Sequence, residues 1–289
     1  MMQRRSVWKG IVLGAVSSIL LITLFAFGSD GGRLTEGFHK VYPLAADGRV
    51  ELDNINGAVH ISTWDRNEVK VDAIKSARSK ESLDEASIQI NSDASHLSIR
   101  TQYPGHDHTF WNDNRHNNPA EVEYTLTVPR QARLDEIKLV NGALDLRDAG
   151  GVVHAACVNG NIDARNLRGR TDLETVNGSV DAEVTQMASS SLSFKSVNGA
   201  LRVSLPSDAN ADIKATTMSG GIANDFGLTV SRHQYVGQSL HGELGGGGVR
   251  VQLSTVNGRI EIRHAGDNRP LSPAKNLDRN RDSDEDDEI

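Results

Sequence analysis

The residue types best suited to chemistry cluster in one short stretch, where His106, His108 and His116 stand among Asp107, Trp111 and Asp113. A His-x-His pair can present two imidazoles on one side of a strand. A third ligand from the same loop would complete an open zinc or copper site. The spacing matches no strong metal signature, and a loop this rich in Asn, Asp and Gly also recruits histidine for solubility. The three histidines are therefore weak metal candidates, and no metal is assigned. Asp145, Asp163 and Asp181 recur at equal steps, with Arg147 and Arg165 two residues further along and Arg202 continuing the aspartate position. If stacked, three carboxylates would repel one another unless a cation or an arginine lay between them; the neighbouring arginines favour a solvated ladder over a calcium row. Asp282, Asp284 and Asp286 have the alternation of a calcium loop but lack its glycine turn and distal Glu. Gly245 to Gly248 lacks the Lys-Ser/Thr of a phosphate loop and reads as a flexible loop before a strand over 249–253. No nucleophile elbow, zinc-protease motif or dinucleotide fingerprint occurs, so neither an enzyme nor a cofactor is expected. Cys157, the only cysteine, cannot form an intrachain disulfide and reads as a semi-buried filler.

The elements that would carry these residues are set by a repeated phrase. Val140-Asn141-Gly142-Ala143-Leu144 returns at Val158-Asn159-Gly160, Val176-Asn177-Gly178, Val197-Asn198-Gly199 and Val256-Asn257-Gly258. A degenerate copy stands at Met218-Ser219-Gly220, and an outlying one at Ile55-Asn56-Gly57. From Asn141 the steps are 18, 18, 21, 21 and 38 residues, the last close to two units. A fixed period of this size marks a stacked array. One residue before each Asn (or Ser219) is apolar, three after is apolar, and four after is mostly charged. Both apolar columns are expected to face inward and the charged column outward. Glycine is expected to supply a positive φ at a sharp corner. Asn-Gly is also a strong hairpin signal, so an antiparallel meander stands as the alternative. The near-constant step favours a β-solenoid-like stack of 18–21-residue repeats, in which single units are too small to fold alone. Aspartate at Val176 or Val180 should then unfold the array.

The rest of the chain reads as all-β with one helical turn at 80–86. Short alternating runs at 38–42, 49–52, 59–61, 69–74, 88–90, 97–101 and 121–128 are bounded by Gly, Asp, Asn or Pro. With aromatics at 4% and 27 glycines, the core must come from Val, Ile, Leu and Ala, which suits thin β layers. A net charge of -7 gives no case for nucleic acid. At the N-terminus Arg4, Arg5 and Lys9 precede an apolar run over 11–28, about 27 Å if helical. Residues 1–28 thus read as a membrane-targeting helix, either a retained anchor or a signal peptide cleaved after Gly28. Either sends the remainder across the membrane. Residues 29–37 read as a linker, 38–265 as the β-repeat domain, and 266–289 as a disordered acidic tail.

Val50 to Ile61 followed by Trp64-Asp65-Arg66 and Val69-Lys70-Val71, then Tyr124-Thr125-Leu126-Thr127-Val128-Pro129 and the Val-Asn-Gly units, resemble the DUF4097 family. The likeness covers roughly residues 38–264. It implies a β-repeat domain of envelope proteins associated with adhesion, and it carries no catalytic residues to transfer. The expectation is an exported, non-catalytic binding, adhesion or structural module of the bacterial cell envelope. It would be held to the inner membrane by its N-terminal helix, or released to the periplasm if that helix is cleaved. Its partner would be an envelope or surface protein or a glycan. The alternatives are a periplasmic envelope-stress or signalling accessory that binds a membrane partner, and a metal-dependent enzyme built on the histidine loop.

Overall fold

The structure is a computed structural model that describes residues 32–103, 120–187, 191–232 and 236–277. Among these residues, ten strands form one sheet and twelve the other. Each Val-Asn-Gly phrase is the corner between the sheets. The chain runs up a strand of the twelve-stranded sheet, such as Thr171–Asn177, turns at Gly178, and continues as Val180–Val184 in the ten-stranded sheet. Successive units lie parallel and in register: Asn159 pairs with Asn177 and Asn177 with Asn198, while Ile162 pairs with Val180 and Val180 with Leu201. The stack, not the meander, is what forms. The outlying Asn56 joins it directly, because Arg49–Asn56 pairs in parallel with Arg133–Asn141.

Spatial order departs from chain order at the far end. The Val249–Asn257 strand inserts between Leu192–Asn198 and Ala211–Ser219, and Ile260–His264 likewise separates Leu201–Leu205 from Ile222–Asn224. The 38-residue step is therefore not two stacked units. After Asn224 the chain leaves the stack, forms Val230–Arg232 and Gln238–Leu244 antiparallel at the sheet edge, and re-enters one rung early. The other end is also closed by antiparallel pairing, through Leu34–Pro43 on Glu68–Ala77 and Ser87–Ser92 on His96–Gln102. Such strands cap the open rungs of a one-dimensional array, whose unpaired edges would otherwise recruit other chains. The helical turn expected at 80–86 is present as Lys80–Glu85, capped by the Ser79 side chain. Strand pairing begins at Leu34, inside the expected linker, and Ala274–Asn276 pairs with Gln238–Leu244 inside the expected disordered tail. The ordered body thus exceeds 38–265 at both ends.

The core lies between the sheets. The residues three after each Asn or Ser219, from Val59 and Leu144 through Val180 to Ile260, are all buried. The other expected inward column is not. Val140, Val158, Val176, Val197 and Val256 are 37–41% exposed and Met218 is 60% exposed; Ile55 alone is half-buried against the core. The reason is parity. Sequence alternation assumes one strand through the Asn-Gly, but the corner folds the chain onto the opposite sheet and resets which positions face inward. Inward residues before the corner are instead two and four before the Asn, such as Thr175 and Leu173. Aspartate at Val176 is therefore not expected to unfold the array, whereas aspartate at Val180 is.

Candidate functional site

Three columns meet at the corners. The asparagines form a side-chain ladder in which each Nδ2 donates to the Oδ1 of the previous rung: Asn141 to Asn56, Asn159 to Asn141, Asn177 to Asn159, Asn198 to Asn177 and Asn257 to Asn198, all at 2.8–2.9 Å. An amide suits this column because it carries a donor and an acceptor on one planar group, so identical residues satisfy one another along the stack. Ser219 ends the row beside Asn257. The backbone bonds at the corners run the opposite way along the stack: Gly160 N–H donates to Asn177 O at 3.0 Å and Gly199 N–H to Asn257 O at 2.9 Å.

The glycines are required by crowding more than by φ. Of the corner glycines, Gly57 and Gly220 have positive φ, at 119° and 153°, while Gly142, Gly160, Gly178, Gly199 and Gly258 do not. A Cβ on Gly160 would overlap the carbonyl oxygen of Gly142, and one on Gly178 that of Gly160. The positive-φ expectation therefore fails at most corners: neighbouring backbones approach too closely for any side chain. Behind four of the corners, a buried hydroxyl two residues before the Asn or Ser219 donates to a glycine carbonyl. Thr175 donates to Gly160 at 2.9 Å, Ser196 to Gly178 at 3.0 Å, Thr255 to Gly199 at 3.2 Å and Thr217 to Gly258 at 3.0 Å. Asn54 plays this part in the first rung, donating to Gly57 O at 3.0 Å and Val122 O at 2.9 Å while accepting from the buried Thr101. Sequence reasoning missed this column because Leu139 and Cys157 occupy it in two rungs and hide its polarity. Cys157 is buried there, and burial pushes its thiol up to about 12, which makes it a poor nucleophile.

On the ten-stranded sheet the charged column does face outward, and its arginines knit it together. Arg147 bridges Asp145 at 2.6 Å and Asp163 at 3.3 Å; Arg165 bridges Asp163 at 2.8 Å and Asp181 at 3.1 Å. Hydrogen bonding to Asp145 and Asp163 raises the pKa of Arg147 and Arg165, respectively. Arg202 continues the column 3.7 Å from Glu261, which also receives Arg259 at 3.1 Å and Arg263. Among the described residues, no group of three or more His, Cys, Asp or Glu side chains could hold a metal ion. His106, His108 and His116 lie outside the described residues, as do residues 1–28 and Asp282, Asp284 and Asp286. Among the described residues, no helix is long and apolar enough to cross a membrane.

On the outer face of the twelve-stranded sheet the exposed valines form a continuous stripe beside the asparagine ladder. A shallow groove of about 560 Å³ runs along it, with Leu139, Cys157, Thr175 and Ser196 among its lining residues. Its far bank, three residues before each Asn, carries Asp53, Lys138, Ala156, Glu174, Lys195 and Ser254. Met218 and the 63% exposed Val236 extend the apolar surface past Val256.

An all-β stack of corner-linked strands, with an ion-paired outer face on one sheet and an apolar stripe on the other, defines a non-globular repeat module. Residues 153–263 match the family described as Toastrack DUF4097. None of the curated proteins matches the chain. Among solved structures, a "putative cell adhesion protein" from Clostridium sporogenes is similar at 14% identity over 79% of this chain and 100% of its own, with a TM-score of 0.46. A "putative adhesin" from Bacteroides fragilis is similar at 8% identity over 79% of this chain and 97% of its own, with a TM-score of 0.31. Likenesses this distant carry no argument about function.

Proposed function

We propose that this chain is a non-catalytic binding module of the bacterial cell envelope and that the valine stripe is its contact surface. The observation that carries this reading is the stripe itself. One β-branched residue per rung is left about 40% exposed on a regular sheet face, where a solvated strand would place polar side chains. The opposite sheet, built from the same repeats, closes the outer face of its repeat rungs with ion pairs, and among the described residues its exposed large apolar side chains include Leu34, Val41 and Ile74 on the two strands at one edge. Export and anchoring rest on the N-terminal run over 11–28, and the partner would be a protein or glycan of the envelope. Adhesion is the narrower form of this reading implied by the family resemblance; protease accessibility on intact cells separates it from a periplasmic role.

The test is site-specific photo-crosslinking in cells. A photo-reactive side chain at Val176 should give adducts, and one at Asp163, on the ion-paired face, should not. Equal adducts from both positions, or none from Val176, would refute the assignment of the stripe.

A further inference from the structure

We infer that a hollow at the strand ends opposite the asparagine ladder binds a uronic-acid-bearing saccharide, with Arg168 holding its carboxylate. The site is distinct from the valine stripe and holds or fails without it. The inserted strand creates the hollow. Val180–Val184 and Leu201–Leu205 are neighbours in the ten-stranded sheet, but the strands that follow them, Leu192–Asn198 and Ala211–Ser219, are separated by Val249–Asn257. The two connectors therefore start one rung apart and end two rungs apart, roughly 10 Å. Between them lies a cavity of about 820 Å³, lined in part by Val249 at the head of the inserted strand, Gln186 from one connector and Pro206, Ala209 and Asn210 from the other. That volume is typical of a small-ligand site.

Charge selects an anion. Among the described residues, the arginines without a carboxylate partner are Arg78, Arg168, Arg170, Arg232 and Arg250, and three of them gather here. Arg168 lines the cavity, Arg170 follows it by two residues, and Arg250 directly follows Val249. Arg269 also lines it but is occupied by Asp208 at 2.9 Å and Asp267 at 3.5 Å. The half-buried Arg168 is positioned by its neighbours: its Nε donates to Asn166 Oδ1 at 3.3 Å, and Asn166, with φ 56°, is itself bonded to Asp148 and Thr185. The two terminal nitrogens of Arg168 have no partner among the described residues. They form an end-on fork that matches one carboxylate, a single negative charge. The rest of the lining suits a sugar. Gln186 and Asn210 offer amides to hydroxyls, and Pro206, Ala209 and Val249 offer apolar surface to a ring face. Asn210 Oδ1 accepts from Gly246 N–H at 3.0 Å, which leaves its Nδ2 to donate. Phosphate and peptide ligands instead draw on free backbone N–H groups. Gly246, Gly247 and Gly248 have spent theirs on Asn210, Leu244 and Asp212.

The test titrates the full chain, in detergent micelles at low ionic strength, into a fluorescently labelled disaccharide of glucuronate and glucose and follows anisotropy. Saturable binding is expected, and the same disaccharide with its carboxylate reduced to the alcohol should not bind. Arg168→Ala should weaken binding by about tenfold or more, with circular dichroism unchanged. Arg168→Lys, which keeps the stem and the charge but not the fork, should fall between, and it carries the comparison if the alanine variant does not fold. Arg78→Ala, an unpaired arginine away from the cavity, should bind as the native chain does. Equal binding of the reduced disaccharide, full binding by Arg168→Ala, or no saturable binding would overturn the inference. Displacement of the probe by equimolar inorganic phosphate or tetraglutamate would assign the hollow to another class of anion and overturn it too. None of these results bears on photo-adducts at Val176, so the stripe and the hollow are judged separately.

Discussion

The two sheets are made from the same repeats, yet their outer faces are opposites. On the ten-stranded sheet, carboxylates and guanidiniums alternate along Asp145, Arg147, Asp163, Arg165 and Asp181 until each charge has a neighbour of opposite sign. On the twelve-stranded sheet, the outward position nearest the corner is a valine in five rungs. The difference shows that a stack specifies its surface column by column. Whatever occupies one position in the repeat is multiplied into a stripe about 4.8 Å per residue in spacing. A salt-bridged column is complete within the molecule, and an apolar one is not.

This contrast can be broken most severely from inside. Val180 is fully buried, and Val180→Asp places an unpaired carboxylate between the sheets, so a loss of about 4 kcal/mol or more is expected. Val176→Asp, four residues earlier on the exposed stripe, should change the unfolding free energy obtained from urea titration by less than about 1 kcal/mol. Comparable losses at both would erase the distinction between the columns. Gly178→Ala comes next: its methyl would collide with the Gly160 carbonyl, and separating two rungs should cost roughly 2–4 kcal/mol in the same assay. Asn177→Ala removes the bond donated to Asn159 and the one accepted from Asn198 and should cost about 1–2 kcal/mol, with Asn177→Ser intermediate. The smallest effect belongs to the ion-paired face. Arg165→Ala loses contacts to Asp163 and Asp181 that are about one-third exposed, so about 0.5 kcal/mol is expected. That loss should shrink in 0.5 M salt; a salt-independent loss would mean packing of the arginine stem, not charge, holds the column.

Much of this was legible in the residues. The period, the buried aliphatic column from Val59 to Ile260 and the outward Asp–Arg column follow from one aligned phrase, because strand pairing in register copies it from rung to rung. Three features were not legible, each for a physical reason. The valines face solvent because the corner between sheets breaks the two-residue alternation, and alternation is the only rule sequence offers for facing. The polar column behind the corners was masked by its mixed membership, in which Asn54, Thr175 and Ser196 share the position with the apolar Leu139 and Cys157. The insertion of Asn257 between Asn198 and Ser219 depends on which edge the returning strand finds, and a 38-residue excursion reaches either side of the Ala211–Ser219 strand. Degeneracy at Ser219 is consistent with its place at the end of the ladder, where no further asparagine follows.

The central claim is that rungs stack in the order Asn56, Asn141, Asn159, Asn177, Asn198, Asn257, Ser219, with the exposed stripe numbering them from outside. Pulsed electron paramagnetic resonance reads this directly from nitroxides on cysteines replacing Val140 and Val256, or Val140 and Met218, each diluted in unlabelled protein. At about 4.8 Å per rung, the first pair should lie about 19 Å apart and the second about 24 Å. The reverse ranking, with Met218 nearer to Val140 than Val256 is, would place the rungs in simple chain order and contradict this architecture.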